Sequence, residues 1–130
     1  MSDSPDPVFQ QLAGVREGLL RLHKAMLDRQ KKIFELEHGR VASANELLQL
    51  VIYNPQFDWL HKLSELVVEI DQATDAREPM TGPAASALLD QSRTLLSNQN
   101  DTFGEKLHQA IAQDGDVAQA HLQVIRLLKK

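Results

Sequence analysis

The residues best able to do chemistry in this chain are polar side chains at helical positions that apolar side chains would otherwise occupy. Four of them recur every seven residues between two apolar lines in the first 38 residues: Arg16, His23, Gln30 and Glu37. Arg29 occupies a position within one of those apolar lines. Buried polar groups need hydrogen-bond partners, so these positions require one another, water or a bound molecule. The long stems of Arg and Gln also allow them to reach solvent from a bundle edge. The pattern is therefore typical of either a site or a polar helix interface.

Aromatic side chains form a second group in residues 53–60, YNPQFDWL. Three of the six aromatic residues of the chain fall within seven positions there, beside Asn54-Pro55. A helical wheel started at Pro55 places Trp59 in the apolar arc and Phe57 at its edge. The strip beside that arc is mixed and contains Phe57, His61, Ser64, Val68 and Asp71. We predict that the aromatic side chains fill the volume opened by a bend. A pocket wall is the second interpretation.

The five histidines raise the question of a metal site. Di-iron bundles use Glu-x-x-His on two helices, and the chain has one such motif, Glu35–His38. The spacings His61–Glu65 and His23–Asp28 resemble those of hemerythrin-like proteins, but the paired histidines expected on another helix are missing. His121 lies among apolar residues of the last helix, where a histidine usually has a structural hydrogen-bond partner. We therefore predict no metal and no cofactor.

Common enzyme signatures are missing from the sequence. The six glycines are scattered singly, so there is no phosphate-binding loop, and neither G-x-S-x-G nor H-E-x-x-H occurs. Asp114-Gly115-Asp116 lacks the rest of a calcium loop and is interpreted as a helix break. We predict no catalytic residue. Should the fold hold a small ligand instead, the candidate lining is His23, Arg29, Phe57, Trp59, His61 and His121.

The elements that position these residues are helices. Apolar residues alternate spacings of three and four through residues 8–38, which predicts one helix roughly 46 Å long that ends before Gly39. Ser43-Ala-Asn-Glu46 is a capping box that starts a second helix. Asn54-Pro55 then predicts a sharp bend and a new helix from 55 to 74. Because the two pieces together match the first helix in length, we expect one bent rod lying along it.

The second half of the chain continues the helical pattern after a turn-rich linker at 75–82. Helices are predicted at 83–97, 102–113 and 116–128, with Thr102 and Asp116 as caps. We therefore predict an all-α fold, an antiparallel bundle of four rods, two of them bent, with five to six helices. A single domain covers 1–130, with 1–7 as a flexible tail.

Composition narrows the class of protein. Hydrophobic residues make up 42% and charged residues 25%, which is typical of globular proteins. No apolar run approaches the roughly 18 residues of a membrane span. The N-terminus, MSDSPDPV, is acidic where a secretory signal would be basic. The absence of cysteine excludes disulfides. We expect a bacterial-type cytoplasmic protein that does not enter membranes.

Charge is distributed unevenly along the chain. Residues 43–79 hold two basic and seven acidic residues, a net charge of −5. A basic run in the first helix comprises Arg21, Lys24, Arg29, Lys31 and Lys32. Nucleic-acid binders usually combine a net basic domain with interleaved aromatic residues, and neither is present, so we exclude that class. The basic run is interpreted as a solvated face or as a partner for the acidic middle segment.

The stretch NPQFDWLHKLSEL, residues 54–66, resembles small bacterial all-helical proteins. It covers a tenth of the chain, and the resemblance implies no activity. We predict a non-enzymatic interaction or regulatory module that self-associates or binds a protein partner, because the long first helix presents more apolar surface than the shorter helices cover. The alternative is a small-ligand or metal-binding bundle of the hemerythrin-like or di-iron-like kind.

Overall fold

The longest element of the computed structural model is α1, which runs from Pro7 to His38; the structure describes residues 7–98 and 100–129. The predicted helix at 8–38 is confirmed. Pro7, assigned to the flexible tail, is instead the first helical residue, where its missing N–H has no helical partner to lose. The rest of the predicted tail lies outside the described residues. Gly39, with φ of 91°, ends the helix in the left-handed conformation expected of a C′ glycine.

The predicted all-α class is confirmed, since 85% of the described residues are helical and none of them lies in a strand. The later helices begin and end within one residue of their predicted bounds. These elements are α2 (Ala44–Tyr53), the 3-10 helix Pro55–Leu60, α3 (His61–Thr74), α4 (Gly82–Ser97), α5 (Thr102–Gln113) and α6 (Gly115–Leu128).

Two helix caps differ from the prediction. The cap of α5 is Asp101 rather than Thr102, and its Oδ1 accepts a hydrogen bond of 2.7 Å from the backbone N–H of Gly104. The cap of α6 is Asp114 rather than Asp116. In both turns the capping residue is an Asp that precedes the predicted cap in the sequence. A carboxylate there accepts the free backbone N–H groups and also favours the positive end of the helix dipole.

The bend at Asn54-Pro55 forms as predicted, but the chain after it differs. Asn54 Oδ1 accepts a hydrogen bond of 2.9 Å from the N–H of Gln56, and Pro55 is the first residue of the new helix. The first six residues form a 3-10 helix, and the α-helix begins only at His61. This tighter winding turns the large side chains of Phe57 and Trp59 inward, and both are buried.

The position of α2 contradicts the expected bent rod. This helix packs against the 3-10 helix rather than along α1, and none of its residues is buried. Three side chains, Leu47, Leu50 and Val51, pack against the edge of the core while remaining partly exposed. α2 is therefore an outer helix attached at the bend.

The core surrounds α1, which packs against α6, α4 and α3. Its five apolar seam residues from Leu12 to Met26 are all buried. Gly14 lies against Leu127 and Gly18 against Val124, so α1 and α6 run antiparallel, and Arg29 reaches Gln113 at the end of α5. The apolar face of α1 is thus well covered, contrary to the surplus we expected. Leu20, 38% exposed, and Leu36, 88% exposed near the C-terminal end of α1, are the exceptions.

Candidate functional site

The four polar residues at seven-residue spacing on α1 all have hydrogen-bond partners on the segment 56–71. We call these four pairs the polar ladder: Arg16 with Asp71, His23 with Ser64, Gln30 with Trp59, and Glu37 with Gln56. As residue numbers rise along α1, they fall along its partner, so α3 lies antiparallel to α1. Two of the partners, Ser64 and Asp71, belong to the mixed strip identified from the sequence. The polar positions of α1 and of segment 56–71 thus pair with one another, although the buried Oε1 of Gln56 has no hydrogen-bond partner among the described residues.

The buried rung of the ladder is the pair Gln30 and Trp59. The indole Nε1–H of Trp59 donates to Oε1 of Gln30 at 3.0 Å, and both side chains are less than a tenth exposed. Trp is a donor only, and it needs an acceptor when its indole is buried. Gln30 provides that acceptor from the middle of an otherwise apolar interface. The pair therefore specifies how α1 and the 3-10 helix are aligned.

A histidine–serine pair forms the next rung. Oγ of Ser64 and Nε2 of His23 share a hydrogen bond of 2.8 Å. Burial lowers the pKa of His23, and the nearby His61 lowers it further. His61 itself faces the other way, since its Nε2–H donates to the carbonyl oxygen of Val51 at 2.8 Å. His23 therefore binds α1 to α3, while His61 binds α3 to the end of α2.

The two ends of the ladder are charged and partly exposed. The guanidinium of Arg16 donates to both carboxylate oxygens of Asp71, with Nη2 to Oδ2 at 3.3 Å. This hydrogen-bonded pairing raises the pKa of Arg16 and lowers that of Asp71. At the other end, Nε2 of Gln56 donates to Oε2 of Glu37 at 3.1 Å. A bidentate arginine–carboxylate pair fixes geometry better than most surface ion pairs.

The buried rung supports a test of the ladder by double-mutant cycle. Gln30→Leu is expected to lower the free energy of unfolding by about 1 to 3 kcal/mol, because it leaves the indole N–H of Trp59 buried without an acceptor. Gln30→Leu combined with Trp59→Phe removes donor and acceptor together and is expected to cost less than the two single changes added. Denaturant unfolding measures all four proteins. Simple additivity would show that the hydrogen bond does not couple the two helices.

The aromatic corner is a packing cluster in the described structure. Phe57 is fully buried, with its ring centroid 5.9 Å from that of Phe34 on α1. Trp59 lies with its ring centroid 6.0 Å from that of Phe103 on α5. Tyr53, the third aromatic residue of the motif, points away and is 74% exposed. The corner thus joins α1, the 3-10 helix and α5.

The other two candidate ligand residues lie apart from the corner. Arg29 donates from Nη2 to Oε1 of Gln113 at 2.6 Å. His121 is half-buried, and its Nε2 has no hydrogen-bond partner among the described residues. Burial, with a smaller effect of His108, lowers the pKa of His121. Of the six candidate side chains, Phe57 and Trp59 thus share the aromatic corner and His23 and His61 lie near each other, while Arg29 and His121 have other surroundings. Their role in ligand binding stays a prediction.

The basic run of α1 does not meet the acidic middle segment. Its side chains border a shallow groove with Asp28, Glu35, Asp114 and Asp116, at the turn between α5 and α6. Lys24 forms an ion pair of 3.3 Å with Asp28 one helical turn away. The interpretation as a solvated, locally compensated face agrees with this placement. Arg16, which lies outside the run, is the residue that reaches Asp71.

The feature that the sequence analysis missed is the outer face of α2. Leu48, Ile52 and Tyr53 are 53%, 48% and 74% exposed, whereas Leu47, Leu50 and Val51 on the opposite side touch the core. Helical spacing places Leu48 and Ile52 one turn apart on the same side, whereas Tyr53, the last residue of the helix, lies about 100° around the axis from Ile52. We call these three residues the α2 face. The run LLQLVIY, in which Gln49 alone is polar, was the available signal.

No family model, no curated protein and no solved structure matches this chain at the significance required. Within residues 7–98 and 100–129, no helix is long and apolar enough to cross a membrane. The same residues contain no group of three or more His, Asp or Glu side chains that could hold a metal ion.

Proposed function

We propose that this protein is a non-enzymatic helical interaction module that self-associates through the α2 face. The scaffold in this proposal is an antiparallel bundle of four rods: α1, the 3-10 helix with α3, α4, and α5 with α6. α2 lies outside that bundle and is displayed by it. The observation that carries the proposal is that α2 exposes three large hydrophobic side chains, Leu48, Ile52 and Tyr53, and buries none of its residues.

Hydrophobic burial explains why such a helix requires a partner. Full burial of a Leu or Ile side chain is worth about 1.5 to 3 kcal/mol, and the half-exposed side chains of Leu48 and Ile52 gain only part of it in the monomer. In α2 the inward residues already touch the core. The outward residues Leu48, Ile52 and Tyr53 can gain burial only against another molecule. Tyr is among the residues most enriched at interfaces.

The composition of the face favours a second copy as the partner. A twofold interface brings the same patch of both subunits together, so charges on the patch would repel their symmetry mates. The outward positions between Leu48 and Tyr53 include Gln49 and no charged side chain. Glu46, which lies at the edge, accepts a hydrogen bond from the N–H of Ala42 and belongs to the helix start. The face is therefore compatible with itself.

Sedimentation velocity tests the proposal directly. The protein is expected to form dimers or larger assemblies as its concentration rises from about 1 μM to about 1 mM, the range of weak and moderate affinities. Ile52→Glu is expected to weaken this association at least about tenfold, because it places a carboxylate opposite its symmetry mate in a desolvated interface. Leu48→Glu should act in the same way.

The matched control for Ile52→Glu is Leu122→Glu. Leu122 lies on α6 and is 47% exposed, against 48% for Ile52, so the two variants add the same charge at similar exposure. Neither should lower the free energy of unfolding of the monomer by more than about 0.5 kcal/mol. A wild-type protein that stays monomeric throughout, or a control that dissociates the assembly equally, would refute the proposal.

A further inference from the structure

A second surface, distinct from the α2 face, lies between α3 and α4. The two helices diverge enough to leave an open groove of about 660 Å³. We call the apolar residues of its lining the floor; they are Leu66, which is buried, Leu95 and the exposed Ala87, and the uncharged polar residues Gln91, Thr94 and Asn98 line the groove as well. Along α3 the groove extends from Lys62 to Glu69, and along α4 from Ala87 to Asn98. At 1.5 Å per residue this is about 10 to 16 Å, or two to three helical turns.

Carboxylates line the rim of this groove. Four of them, Glu65, Glu69, Asp90 and Asp101, stand against the single cation Lys62, which gives the lining a net charge of −3. Two of the four are already paired within the protein. Oδ1 of Asp90 accepts from Arg93 at 2.7 Å, and Oδ2 of Asp101 accepts from Lys62 at 2.8 Å. The hydrogen bond from Lys62 lowers the pKa of Asp101, with a further contribution from the N–H of Gly104.

The remaining two carboxylates are uncompensated. Glu65 and Glu69 have no ion pair and no hydrogen bond to any described residue. They lie four residues apart on one face of α3, an arrangement in which like charges repel and destabilise the helix. A cation placed between them would remove that repulsion. An apolar floor beneath two free carboxylates is complementary to a partner that is apolar and positively charged on adjacent sides.

We propose that the groove between α3 and α4 binds a short, basic amphipathic helix of another protein, with Leu-type side chains on the floor and Lys or Arg between Glu65 and Glu69. The groove length fits two to three turns of such a helix, and helix-in-groove recognition uses anchors spaced three and four residues apart. The inference does not depend on self-association, since α2 contributes no residue to the groove.

The basic run of a second copy fits the groove less well. Arg21, Lys24, Arg29, Lys31 and Lys32 are mixed with four carboxylates, so their surroundings have a net charge of only +1. They also border a concave surface, and two concave surfaces cannot interlock. A separate basic helix that protrudes satisfies both the charge and the shape.

Fluorescence anisotropy with a labelled peptide tests this assignment. The probe is a helical peptide of about four turns with Lys on one face and Leu on the other. We expect it to bind the full-length protein, and to bind at least about tenfold more weakly to the variant Glu65→Gln/Glu69→Gln. Binding should also weaken with added salt, because the rim carboxylates are exposed and screened.

The control variant Glu78→Gln/Glu105→Gln removes the same two charges from exposed positions outside the groove. It should leave peptide binding unchanged. The proposal is overturned if both double variants weaken binding equally, which would indicate attraction by overall charge alone. It is also overturned if a Glu/Leu peptide binds as tightly as the Lys/Leu peptide. Loss of self-association in the Glu65→Gln/Glu69→Gln variant would equally overturn it, since a second copy would then be the occupant.

Discussion

Phe57→Ala is expected to lower the free energy of unfolding by about 3 to 5 kcal/mol, which is a large fraction of the stability of a domain of this size. The Phe57 ring has no exposed surface and packs against Phe34. Its removal leaves a cavity at the point where the 3-10 helix joins α1. The surroundings include the buried side chains of Trp59 and Leu60, which are held by the backbone of the same short helix and cannot easily collapse into the space.

Tyr53→Ala is the matched control, since it truncates another aromatic residue of the same motif. Tyr53 is mostly exposed, so its loss should change the free energy of unfolding by less than about 0.5 kcal/mol at low protein concentration. Chemical denaturation measures both variants. A small effect of Phe57→Ala, comparable to that of Tyr53→Ala, would show that the Phe57 ring is not part of the core and would revive the pocket-wall interpretation.

Gly18→Leu is the second substitution with a large expected effect, a loss of about 3 kcal/mol in the free energy of unfolding. A Cβ at Gly18 would lie 2.7 Å from Cγ2 of Val124, closer than real Cβ contacts. Val124 is fully buried and its Cγ atoms are one bond from Cβ, so the clash cannot be relieved by moving a flexible chain end. Overpacking of this kind costs about 1 to 3 kcal/mol, and Leu extends well beyond Cβ.

Gly14→Leu, one turn earlier on α1, provides the comparison. A Cβ there would lie 3.5 Å from Cδ2 of Leu127, which is ordinary van der Waals contact with the end of a flexible side chain. The gain of about 1 kcal/mol in helix propensity should offset most of any strain. Adding Val124→Ala to Gly18→Leu should recover at least about 1 kcal/mol, because it returns volume to the contact. Equal losses at Gly14 and Gly18, with no recovery, would show that α1 and α6 do not approach closely at Gly18.

The substitutions at Phe57 and Gly18 test the stability of the scaffold. The substitutions in the α2 face and in the groove between α3 and α4 test binding to other molecules. Phe57 fixes the bend from which α2 projects, and Gly18 sets the distance between α1 and α6. None of the substitutions that test interaction touches either contact. Ile52→Glu and Glu65→Gln/Glu69→Gln should therefore change association or peptide binding while thermal unfolding of the monomer stays nearly constant. A change in binding without a change in thermal unfolding distinguishes loss of a binding surface from loss of the fold.

The helices and their ends were largely predictable because their causes are local. The apolar spacing through residues 8–38, the glycine at 39 and the Asn54-Pro55 bend each act within a few residues, and all three are observed. The capping residues were harder to predict from the sequence. Asp101 and Asp114 compete with Thr102 and Asp116 for the free N–H groups at the helix starts. The 3-10 winding at 55–60 had no signal that separates it from the first turns of an α-helix.

The packing of the helices was only partly predictable. The sequence suggested that α2 continues α3 as one bent rod, because their combined length matches α1. The structure instead leaves α2 outside the core, since α6, α4 and α3 already cover the apolar face of α1. The helices that cover the apolar face of α1 are selected by the sum of many contacts between residues distant in the sequence. A hydrophobic pattern identifies the face of a helix that must be buried, but it does not show which other helix buries it.

The polar ladder shows which features the sequence determines and which features only the tertiary structure determines. From the sequence alone, Arg16, His23 and Gln30 were recognisable as polar residues inside an apolar face that needed partners, and Ser64 and Asp71 as members of a mixed strip. The sequence alone could not give their pairing, because the pairing depends on how α3 is aligned along α1. In the chain, α2 and the bend at Asn54-Pro55 lie between these two helices, and α2 does not pack along α1. Local interactions determine which residues are helical and which faces are apolar. The tertiary structure decides which polar groups meet, since partners that lie 41 and 55 residues apart are brought together only by packing.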